Sequence, residues 1–153
     1  MVEQESGRSL IEMLGVLAIG AVMTAGAYAT YNMLRTNQVR NMALSEMEQI
    51  ARNTKILLET RGDYRGVSVE YLVKAGAITE TGAPLGGDDW YITSSTDGKS
   101  FSINLTNLSA TDCSYLAAKK IKWATKVSVN KIETGGSERC ISDAKNFVSF
   151  IVE

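Results

Sequence analysis

The sequence predicts an α+β protein: a long N-terminal α-helix, membrane-spanning in its first half, packed on a small antiparallel β-sheet. Three observations predict it. Residues 13–34 carry no charge. A helical apolar period then continues from Val39 to Leu57. Beyond residue 66, short runs rich in β-branched and aromatic residues alternate with turn residues.

The helix comes first. At about 1.5 Å per residue, a helix over residues 13–34 is roughly 33 Å long, enough for a bilayer core of about 30 Å. It is rich in small residues, Gly15, Ala18, Gly20, Ala21, Ala25 and Gly26 among them, which let helices approach closely in lipid. Val39, Ala43, Met47, Ile50, Thr54 and Leu57 then recur at three- and four-residue steps on one face. Arg40, Glu46, Glu48, Arg52 and Lys55 mostly lie elsewhere. Gly62 is the expected stop, so one helix is predicted over about residues 9–61.

The head follows. Residues 67–76 read as a short helix ending at Gly76, and residues 77–89, with Pro84 and three glycines, as a loop. Residues 90–95 and 100–104 flank Asp97-Gly98 as a hairpin. Ser109 and Asp112 form a capping box that opens a helix over about residues 110–121. Residues 126–132 and 147–152 are the third and fourth strands, joined by a loop containing Gly135 and Gly136. Four strands against a long helix make the α+β class.

Composition narrows function. The charges nearly balance, 16 basic against 17 acidic, so no strong field points to nucleic acid. Histidine is absent and there are two cysteines, which removes His-based triads and a closed structural zinc site. No phosphate-binding glycine motif occurs. The expectation is no enzyme, no cofactor and no resident metal.

The segment Gly7-Arg8-Ser9-Leu10-Ile11-Glu12 is the most informative. A carboxylate at the start of a lipid-compatible helix is costly unless paired, and is functional by default. An ordinary signal peptide is cut after its apolar core; here the candidate site, after Gly7, precedes it. An uncleaved signal anchor with Arg8 as its cytoplasmic charge is the plain alternative.

This pattern of short leader, Gly7 and Glu12 resembles the prepilins of the type IV pilin and type II secretion pseudopilin family. The leader departs by carrying Glu3 and Glu5, and the first mature residue would be Arg8 where the family has an apolar one. The resemblance extends to the C-terminal half, closest to the type IVb-like branch. Asn107, Leu108 and Ser109 precede Cys113, and Cys140 precedes a terminal strand at residues 146–150. It implies a leader at 1–7, an assembly helix at 8–34 and a globular head at 35–153. It also implies cleavage between Gly7 and Arg8 by a prepilin peptidase, and polymerisation of the chain with itself from an inner-membrane assembly platform. The precursor would sit in membrane lipid, and the product in an extracellular pilus or a periplasmic pseudopilus. Glu12 would pair with the terminal amine of a neighbouring subunit. A membrane-anchored periplasmic binding module is the reading from a different class.

An exported head this small gains from a covalent staple, so Cys113 and Cys140 are expected to pair; free thiols in a cytosolic domain are the alternative. Lys119, Lys120, Lys122 and Lys126 near Tyr115 and Trp123 could bind an anionic polymer, but a solvated helix face is commoner. Asp88 and Asp89 beside Gly86 and Gly87 are weak calcium candidates. The sequons at Asn104 and Asn107 read as turn and cap chemistry.

Overall fold

The continuous helical periodicity is realised as α1, Glu3–Glu59. The computed structural model describes residues 3–87, 89–133, 139–142 and 145–153, apart from the side chains of residues 3–8 and 133. The chain divides into two compact units, Met1–Val39 and Arg40–Glu153.

In the first unit, every α1 residue from Ser9 to Val39 is exposed. The Thr24 and Thr30 hydroxyls donate to the Gly20 and Gly26 carbonyls at 2.7 and 2.9 Å. Those hydroxyls are thereby satisfied inside the helix, as an apolar medium requires.

In the second unit α1 buries Ala43, Met47, Ile50 and Thr54, the face its period predicts. The ends of that face differ. Val39 stays 46% exposed, and Leu57 is only half-buried while Leu58 and Ala51 are buried in the core. The buried stripe advances by nearly four residues at its end, so Leu58 follows Thr54. Gly62, at φ 79°, returns its N–H to the Leu58 carbonyl at 3.2 Å and stops the helix.

Helix α2, Val69–Lys74, is capped by Ser68 and ends near Gly76, whose φ is 72°. Strands β1, Tyr91–Ser94, and β2, Phe101–Leu108, form the predicted hairpin around Gly98 at φ 73°. Helix α3 is Ala110–Ala118, followed by β3, Lys126–Val129, β4, Ile132–Glu133, and β5, Asn146–Val152. All pairings are antiparallel, in the order β1-β2-β5-β3-β4. The last strand is therefore central, and Phe150 pairs with Ile103 on one side and Val127 on the other. Ile103, Leu105, Val148 and Phe150 are fully buried in one core with Met47, Leu58, Leu72 and Leu116.

Among the described residues the sheet has five strands where the sequence predicts four. Asn130 and Lys131 adopt φ of 49° and 68°, the left-handed pair of a two-residue hairpin turn. The expected third strand therefore folds back as β3 and β4. Strand β2 runs four residues further than predicted, through a bulge where Asn107 takes φ 52°. Helix α3 stops three residues early, because Lys119 is already extended. The Gly135-Gly136 loop lies outside the described residues.

Candidate assembly helix and the stapled head

Gly7, Arg8 and Glu12 lie on the continuous backbone of α1, with Arg8 and Glu12 about one turn apart. Glu12 is exposed and sits among exposed apolar side chains: Leu10 at 61%, Ile11 at 73% and Met13 at 67%. The helix has the length and apolarity to cross a membrane, and the most apolar window in its Ser9–Glu59 part buries nothing within the chain. A face this large and apolar on one chain requires lipid or other protein to cover it. Glu12 is the carboxylate that such a covering must accommodate.

Among the described residues, three fastenings of the head stand out. Cys113 and Cys140 form a disulfide, with Cα atoms 5.9 Å apart and a sequence separation of 27. It ties the first turn of α3, through buried Cys113, to the segment that precedes β5. Beside it, buried Asn146 donates to the Leu108 and Ile141 carbonyls at 3.2 and 2.9 Å and accepts from the Ile141 N–H at 2.7 Å. Asn130 extends the network, accepting from the Phe147 N–H at 2.9 Å and donating to the Arg139 carbonyl at 2.7 Å. The third fastening joins α3 to α1. Arg40 Nε donates to Asp112 Oδ1 at 2.7 Å and its guanidinium lies 5.3 Å from the Tyr115 ring centre. Asp112 Oδ2 meanwhile accepts from Ser109, so the capping box also carries an ion pair. Sequence reading missed Asn146 and Arg40; only their polarity beside apolar positions hinted at burial with partners.

The remaining candidates resolve differently. The sequon residue Asn104 is not turn chemistry: it lies within β2, 3% exposed, and accepts from the Ser149 hydroxyl at 2.6 Å. Asn107 forms the β2 bulge. Gly86 and Gly87 have a structural reason to be glycine, since an added Cβ would stand 2.5 Å from the Thr106 carbonyl oxygen at Gly86 and 2.7 Å from Asn107 Nδ2 at Gly87. Asp89 is exposed, and Asp88 lies outside the described residues. Among the described residues no three His, Cys, Asp or Glu side chains gather as a metal site would require. Lys119, Lys120, Lys122 and Lys126 are exposed on the segment after α3.

The fold is shared with a solved structure. The crystal structure of TcpA, a type IV pilin from Vibrio cholerae El Tor biotype, aligns with a TM-score of 0.62, covering 76% of this chain and 99% of that one. The chain has the type IV pilin fold. Identity to TcpA is 14%, so the likeness resides in element order and packing. No protein-family model matches the sequence, and no curated protein matches it.

Proposed function

We propose that the chain is the structural subunit of a type IV pilus-like filament, made as a prepilin, cut after Gly7 and polymerised through α1. The exposed apolar face of α1 with Glu12 at its start is the observation that carries this reading. The precursor is held in the inner membrane by this helix, with lipid covering the face until subunits replace it. Cleavage by a prepilin peptidase removes residues 1–7 and creates an amine on Arg8, about 6 Å along the helix from Glu12. When helices gather in a shared apolar core, an uncompensated carboxylate is strongly unfavourable and an opposite charge offsets it. Pairing Glu12 with a neighbour's amine fixes axial register, because slippage separates the charges in low dielectric. Arg8 brings a second positive charge to the same end. The subunit acts by assembly and not by catalysis, on an inner-membrane platform, and its product lies outside the cell.

Glu12→Gln and Glu12→Ala test it. Both should be processed and inserted normally while filaments are lost or sharply reduced. Normal filaments from both would remove Glu12 as the register element.

A further inference from the structure

The head carries opposite charge on two edges of α1. Residues 113–132 hold Lys119, Lys120, Lys122, Lys126 and Lys131 and no acid. Beyond α3 this segment runs beside α1: Lys119, Lys120 and Lys122 line a groove with Asn41, Ser45 and Glu48. Lys122 lines an adjoining groove with Arg52 and Lys55. On the other edge, residues 75–98 hold Glu80, Asp88, Asp89 and Asp97 and no basic residue. Glu80 lines a groove with Glu46, Gln49 and Asn53 of α1, and Asn53 Nδ2 fixes that loop by donating to the Ala77 carbonyl at 2.6 Å.

Helical geometry makes these opposite edges. Asn41, Glu48 and Lys55 stand roughly 100° to one side of buried Met47 and Thr54, and Glu46 and Asn53 roughly 100° to the other. Between the edges, on the outward face, lie Met42 and Ile56, each 71% exposed. Among the described residues the ion pairs are Arg40–Asp112, Arg52–Glu48 and Arg61–Asp63; none engages Glu46, Glu80, Lys120 or Lys122.

We propose, resting on the filament reading above, that these edges bind each other between copies. The Lys119, Lys120 and Lys122 edge of one head meets the Glu46 and Glu80 edge of the next. Two different patches on opposite edges make a heterologous contact, which repeats from copy to copy and is not exhausted in a dimer. It leaves the Met42 and Ile56 faces of successive heads turned to the same side. Exposed pairs each contribute little and are screened by salt, so the contact selects orientation more than it supplies affinity.

The test uses the full-length chain in its own membranes and filaments. A carbodiimide joins an amine to a carboxylate only where they touch. Mass spectrometry should find Lys119, Lys120 or Lys122 of one copy joined to Glu46 or Glu80 of another, with yield falling as salt rises. Charge reversal gives the second measurement. Lys120→Glu with Lys122→Glu, and separately Glu46→Lys with Glu80→Lys, should each cut filament yield roughly tenfold. All four together should restore it to within about twofold, since the edges are again complementary. Filaments without these cross-links would overturn the contact while leaving the filament reading intact. Cross-links in membranes of a chain that never polymerises would uphold the contact and overturn that reading; neither would overturn both. A defect confined to the lysine variant would overturn the contact in favour of a polyanion site.

Discussion

Removing the Cys113–Cys140 disulfide should destabilise the head by an amount its loop length sets. The cysteines are 27 residues apart. In the chain-entropy description, closing a loop of that size restricts the unfolded chain by roughly 3.5 kcal/mol at 25 °C. Cys140 is half-buried and Cys113 fully buried in α3, so Cys140→Ser isolates the crosslink better than a change that puts a hydroxyl at position 113. With a urea slope of about 1.5 kcal/mol/M for a head of this size, the midpoint should fall by roughly 2 M. The assay is urea titration of the full chain in detergent, followed by the fluorescence of Trp90 and Trp123, both of which lie in the head. Reduction of the wild type should reproduce the variant's midpoint. A shift under about 0.3 M in both, with unchanged slope, would refute the idea that loop closure stabilises the head.

Asn146→Ala should cost about 3 kcal/mol, because the Leu108 carbonyl and both Ile141 backbone groups lose a partner in or near the core; thermal unfolding of the head measures it. Gly86→Ala should cost about 2 kcal/mol, from its φ of 92° and a Cβ 2.5 Å from the Thr106 oxygen, whereas Gly82→Ala, with open space around it, should be silent in the same assay. Hydrogen bonds from the Ser95 hydroxyl and the Lys99 N–H hold the Asp97 carboxyl below its usual value of 3.8. Its contribution is therefore full above that value and lost as pH falls through the lower folded one. Stability curves of wild type and Asp97→Ala should thus converge in acid, and a gap that stays constant to the lowest pH would contradict the assignment.

What the sequence made legible was local. The period from Ala43 to Thr54, the stop at Gly62, the Asp97-Gly98 turn and the Ser109 cap each depend on residues a few positions apart, and each is found in place. Two elements were misread because backbone conformation overrode residue type. Lys131 at φ 68° is not a residue that announces a left-handed turn, so β3 and β4 looked like one strand. The polar residues Thr106 and Asn107 hid the extension of β2 beyond Asn104 to Leu108, while buried Asn104 is held by a hydrogen bond from Ser149, 45 residues away. Arg40 and Asp112 are 72 residues apart, and no spacing rule joins them. In the N-terminal helix the position of Glu12 was plain from the residues, whereas a partner for it came only from the resemblance to prepilins, because that partner would belong to another copy.

The most direct measurement is the N-terminal mass of the chain recovered from filaments sheared off the cell surface. The account predicts a subunit beginning at Arg8, with residues 9–34 intact and Cys113 joined to Cys140. Surface material that keeps Met1, or that begins within residues 25–29, would contradict it.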